Sequence, residues 1–174
     1  MKYFISNAFT HGIGEYFEEA TWVKLESIFS TGGLLSVNQL KALNIIPLPG
    51  RVTGSIRMSG EDYVSLLDLS HDLVKEKIIT GRAKYFLPYN ENVITFIISP
   101  EIEKHESKRF AEFEVQIKDK VPLSYFNGII VPDDKECQNR VFDTLENFDI
   151  KLPVFNFDGE RLYKNKTNET AREF

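Results

Sequence analysis

The sequence predicts a single α+β domain, and three observations carry that reading. The chain has 174 residues, 42% of them hydrophobic, with 14 Phe and 7 Tyr. That is enough apolar material for one well-filled core at a length usual for one compact domain. In the second half, short β-branched and aromatic runs outnumber helical patterns and do not alternate with them regularly, unlike a doubly wound parallel sheet. No internal repeat and no low-complexity block divides the chain.

The elements follow in order. Lys2 to Ser6 (KYFIS) reads as an opening strand, and Asn7 to Gly14 as a glycine-bearing loop. Trp22, Leu25, Ile28 and Phe29 recur at helical spacing within 17–29, and Gly32 and Gly33 end that helix. Residues 34–45 add a turn or a short helix. Ile46 to Asp62, with two prolines and three glycines, reads as a long functional loop. Tyr63 to Leu69 is a strand, Ser70 to Gly81 fits either a short helix or a loop, and Asn92 to Pro100 is a buried strand stopped by proline. The mixed-charge run Glu101 to Arg109 reads as a solvated loop. Val121-Pro122 reads as a turn, Gly128 to Pro132 as a buried strand, Asp133 to Phe148 as a helix and Leu152 to Phe157 as a last strand. The domain is expected over 1–160, with a polar tail over 161–174.

Composition narrows the function classes. A net charge of −5, from 26 acidic and 21 basic residues, argues against a broad nucleic-acid-binding surface but not against a local groove. A single cysteine, Cys137, excludes an internal disulfide and a cysteine zinc cage within the chain, and with three histidines no metal site is expected. No apolar run reaches the ~20 residues of a membrane span. The first six residues lack the apolar stretch of a secretory signal, so a soluble, cytoplasmic protein without a membrane partner is expected. There is no G-x-S-x-G and no phosphate-binding glycine loop followed by Lys-Ser/Thr. Cys137, inside a helical pattern, reads as a packing residue.

The stretch RFAEFEVQIKDKVPL, Arg109 to Leu123, holds two glutamates two residues apart. Phe113, Val115 and Ile117 alternate with Glu112, Glu114 and Gln116. A period of two therefore sends both carboxylates to the face opposite the apolar one. Either they form the wet side of a half-buried strand, or they line a cleft.

Three places together resemble the ADP-ribosyltransferase fold, and within it the DarT-like branch, whose best-known members modify DNA bases. The first is His11 to Ser36, where a histidine follows an early strand and Leu25, Ser27, Ile28, Gly32 or Gly33, and Leu34 fit the pattern L-x-S-I-x-x-x-G-x-L. The interval between His11 and the helix is longer than DarT-like chains often have. The second is GEDYVSLLD, Gly60 to Asp68, similar to the strand that bears an aromatic or hydroxyl residue against nicotinamide. The third and most specific is Glu114 itself, with Pro122 eight residues on and an apolar run after it. The Glu112/Glu114 pair is also similar to the biglutamate signature of arginine-directed transferases.

The resemblance implies a split β-sheet with a few helices, and NAD as substrate in the cleft. Glu114 is the implied catalytic residue and Glu112 the acceptor-side one. His11, Gly12, Tyr63 and Ser65 are implied NAD contacts, with Arg57 or Arg51 at its pyrophosphate. Glu114 is expected at the start of a central strand facing the cleft, Tyr63 or Ser65 across that cleft, and His11 at its rim. The implied activity moves ADP-ribose from NAD to a macromolecular acceptor, a protein side chain or a nucleic-acid base, in the setting of a bacterial toxin or effector. The alternative is a non-catalytic nucleotide- or protein-binding module of the same fold.

Overall fold

A computed structural model describes residues 4–7, 18–45, 62–68, 94–111, 114–156 and 158–164, with backbone alone over 4–7, 18–24 and 109–111. Leu25, Ile28 and Phe29, the stripe read from sequence, are buried on helix α1, Glu18–Thr31. Chemistry sets its end. Gly32 takes φ 79°, a left-handed conformation that side chains resist. The Thr31 carbonyl accepts from Lys120 Nζ at 2.9 Å, placing a cation at the negative end of the helix.

Gly33 opens strand β2, Gly33–Leu35, which pairs antiparallel with β7, Lys120–Pro122. A Cβ at Gly33 would lie 2.1 Å from the Val121 carbonyl oxygen, so only glycine allows this approach. Val121-Pro122, expected as a turn, is therefore part of a ribbon strand, and the proline is tolerated at its end because the ribbon is all edge. Helix α2, Val37–Ala42, follows, with the Ser36 hydroxyl accepting from the Gln39 N–H at 3.3 Å and Val37 and Leu40 buried.

The main sheet has the order β10-β9-β8-β4-β1-β3-β6-β5 among the described residues. Its strands are β1 Phe4–Asn7, β3 Tyr63–Asp68, β4 Thr95–Ile98, β5 Ser107–Ala111, β6 Glu114–Lys118, β8 Phe126–Ile130, β9 Val154–Phe155 and β10 Arg161–Leu162. Neighbours are antiparallel except β8 and β9. Two strands were not expected. Half of the charge run forms a turn, Pro100–Lys104, with Glu101, Glu103 and Lys104 exposed, but Ser107–Ala111 is the edge strand β5. An edge strand tolerates charge, which is why the run reads as loop. β10 lies past residue 160, where the polar tail was expected to start.

Alternation sorts the sheet into two faces. Val64 and Leu66 on β3 pair with Ile117 and Val115 on β6, and all four are buried with Phe96, Ile98 and Ile129. Helix α3, Lys135–Asn147, covers this face together with α1. Asp134 caps α3 by accepting from the Glu136 N–H at 2.8 Å, and Cys137, Val141 and Leu145 form its buried stripe. Phe29 of α1 meets Phe96 edge-on at 6.5 Å and Phe148, just past α3, at 5.8 Å. The opposite face carries Tyr63, Ser65, Leu67, Glu114 and Gln116.

The strands are not held together evenly. β1 pairs with β4 along its whole length, Phe4 to Asn7, and β3 with β6 from Tyr63 to Leu67. Between β1 and β3, among the described residues, the pairs are Phe4↔Asp68 and Ile5↔Leu67. The Gly/Pro-rich segment 46–61 and the segment 70–81 lie outside the described residues. Among the described residues no helix is long and apolar enough to cross a membrane. Among them, too, no cluster of three or more His, Cys, Asp or Glu could hold a metal ion.

Candidate active site

Glu114 is the first residue of β6, and its side chain is on the face away from the helices. A carboxylate at the start of an antiparallel strand with one polar face would ordinarily meet water. Here it is 2% exposed, and Gln116, next on the same face, is also 2% exposed. The wet-face reading of this stretch is therefore wrong for both residues.

A buried carboxylate needs donors. The Ser65 hydroxyl donates to Glu114 Oε1, and Gln116 Nε2 reaches the same oxygen at 3.5 Å, the outer limit of a hydrogen bond. The register explains both contacts. Ser65 sits directly opposite Gln116, and Leu67 opposite Glu114, so Ser65 meets Glu114 along the diagonal. The resulting triangle of Ser65, Glu114 and Gln116 spans two paired strands.

Tyr63 begins β3 on this same face, and Lys108 Nζ of β5 lies 4.1 Å from the centre of its ring. Lys108 is opposite Gln116 in the β5–β6 register. The structure thus brings Glu114, Ser65 and Tyr63 together on one sheet face. It corrects the expected arrangement in one respect: Ser65 and Tyr63 are on the strand paired with that of Glu114, not across a cleft from it.

Five candidates, His11, Gly12, Arg51, Arg57 and Glu112, lie outside the described residues. Glu112 and Phe113 stand between the paired residues Ala111 and Glu114, where β5 ends and β6 begins. Of the strand read through 112–117, the described part is β6, Glu114–Lys118. Two residues of this face were missed. Gln116 shares the alternation of Glu114, a sufficient signal, but an amide does not announce acid–base chemistry. Lys108 was hidden in the charge run.

No family model matches the chain, and no curated protein matches it in sequence. Among solved structures it is similar to DarT of Thermus sp. 2.9 in complex with NAD+, at 14% identity and TM-score 0.52, over 89% of this chain and 93% of that one. The complex of that protein with carba-NAD+ matches over the same shares at 14% identity and TM-score 0.46. Identity this low speaks for architecture rather than for any side chain, and the architecture of this chain is the DarT-like ADP-ribosyltransferase fold.

Proposed function

We propose that the chain is an ADP-ribosyltransferase that moves ADP-ribose from NAD to a macromolecular acceptor, as a toxin or effector would. The observation that carries this reading is the Glu114 carboxylate, buried to 2% exposure and held by Ser65 on a sheet face shared with Tyr63. An unneeded carboxylate at that depth would be costly. Cleaving the bond between nicotinamide and ribose builds positive charge on C1′ and the ring oxygen. A fixed carboxylate that also accepts from a ribose hydroxyl stabilises that charge without reorganising. The similarity in fold to a protein with NAD+ bound supports NAD as the substrate.

In this reading Ser65 holds the carboxylate in place, so it acts through Glu114. Tyr63, with Lys108 over one face of its ring, offers the other face to a flat heteroaromatic ring. His11, Gly12, Arg51 and Arg57 as further NAD contacts, and Glu112 on the acceptor side, rest on the resemblance.

The test is incubation with NAD labelled in the nicotinamide ring, read as release of free nicotinamide by the native chain and by Glu114→Gln. Release is expected from the native chain and a fall of at least ~10²-fold in the variant, the scale of losing one transition-state electrostatic partner. Equal release from both would remove Glu114 from the mechanism. Binding of NAD without release would leave a binding module.

A further inference from the structure

Among the described residues of this face, burial and hydrogen bonding do not agree at Gln116. The residue is 2% exposed. Its Nε2 points at Glu114 Oε1, 3.5 Å away. That orientation is dictated, because a carboxylate only accepts and the amide must turn its N–H toward it. The consequence is that Oε1 of Gln116 faces elsewhere, and among the described residues it has no hydrogen-bond partner. A buried acceptor left without a donor is destabilising, and a hydrophobic side chain of the same length would avoid it. Such residues persist where a ligand supplies what the protein lacks.

We infer that Gln116 is a substrate-binding residue whose amide oxygen accepts a hydrogen bond from a second hydroxyl of the ribose that Glu114 engages. The inference rests on the proposed NAD reading. Its chemistry is that of a vicinal diol reader. Glu114 and Gln116 are two residues apart on one strand face, so both side chains present an acceptor oxygen on the same side of the sheet. A ribose offers two adjacent hydroxyl donors and matches such a pair, whereas a deoxyribose offers one fewer. Ser65, opposite Gln116 in register, spends its own donor on Glu114 and so keeps the carboxylate oriented for the first hydroxyl. Gln116 then sets sugar specificity, and does so without touching the bond that breaks.

The experiment compares native chain and Gln116→Met, which keeps length and removes both polar atoms. Calorimetric binding is measured for NAD and for two analogues lacking the 2′- or the 3′-hydroxyl of the nicotinamide ribose, with nicotinamide release from NAD followed in parallel. The native chain is expected to bind NAD roughly tenfold more tightly than each analogue, the scale of one hydrogen bond to a buried acceptor. Gln116→Met is expected to lose discrimination against one analogue and to keep it against the other. Its melting temperature is expected to stay close to native, since the unpaired buried oxygen goes together with the long 3.5 Å contact from Nε2 to Glu114.

If Gln116→Met discriminates as the native chain does, or melts well below it, Gln116 is structural and the inference falls. In that case release of nicotinamide by the native chain would still uphold the transferase reading. If discrimination is lost as expected but no nicotinamide is released, the binding role stands and the transferase reading falls. Absence of NAD binding by the folded native chain overturns both.

Discussion

The bond between Ser65 and Glu114 is the contact from which the candidate site is built, and its removal has calculable consequences. Ser65→Ala deletes one oxygen and leaves no cavity of consequence. It takes away the close donor to Glu114 Oε1, and the amide of Gln116 reaches that oxygen only at 3.5 Å. A hydrogen bond to a charged, buried acceptor is worth about 1.5–3 kcal/mol. A domain of this size loses about 2–4 °C of melting temperature per kcal/mol, so a fall of roughly 3–12 °C is expected. The carboxylate also loses its orientation, and kcat/KM for nicotinamide release should drop by ~10–10²-fold.

The decisive assay is a double-mutant cycle by denaturant unfolding with the native chain, Ser65→Ala, Glu114→Gln and the double variant. In Glu114→Gln the same hydroxyl meets a neutral amide, a bond worth only about 0.5–1.5 kcal/mol. Ser65→Ala should therefore be milder there, with a coupling energy of about 1 kcal/mol. Additive effects, within ~0.3 kcal/mol, would show that the serine and the carboxylate do not meet in solution. Glu114 would then be held in its buried position by other groups.

Two further outcomes test the frame around the site. Gly33→Ala forces a Cβ to 2.1 Å from the Val121 carbonyl and puts alanine at φ 152°. A loss of about 3 kcal/mol and a melting temperature lower by roughly 6–12 °C are expected, read by thermal unfolding; an unchanged value would mean that β2 and β7 do not form a ribbon. Lys164, tied to Asp143 and to Glu146 at 2.8 Å each, has its pKa raised above the ordinary 10.5, first by the hydrogen bond to Asp143 and then by that to Glu146. A raised lysine contributes stability below 10.5 and loses it as pH climbs through the folded value, so Lys164→Met should be slightly less stable than native at neutral pH and equal to it once the folded lysine has lost its proton. A difference that persists in strong alkali would trace to packing instead.

The helices were legible because their signals are local. Leu25, Ile28 and Phe29 mark one stripe, Gly32 marks its end, and Asp134 marks the next start. The faces of β3 and β6 were legible for the same reason, since a period of two is read residue by residue. Whether a polar face is wet is a different kind of fact. It depends on what packs over it, and nothing in the alternation of Glu114 and Gln116 reports that. β5 was obscured by Lys108 and Arg109 and by the charged residues just before it, and β7 by a proline that only a ribbon edge accepts. The direct Ser65–Glu114 contact needed the register, which is set by pairing between residues far apart in the chain.

That long-distance pairing has a consequence for how the molecule is made. β1 precedes every other strand described, yet it belongs to the middle of the sheet, with Phe4 paired to Asp68 on one side and Ile98 on the other. Until both of those strands exist, the central strand has no neighbours, and the entropy of closing two long loops is lost before any pairing returns it. Nucleation then falls to what is contiguous: the hairpin of β5 and β6, joined across Ala111 and Glu114, is the shortest closure described in the sheet. The strand that begins with the buried carboxylate would thus form early and recruit β3, with β1 docking last against a surface already built.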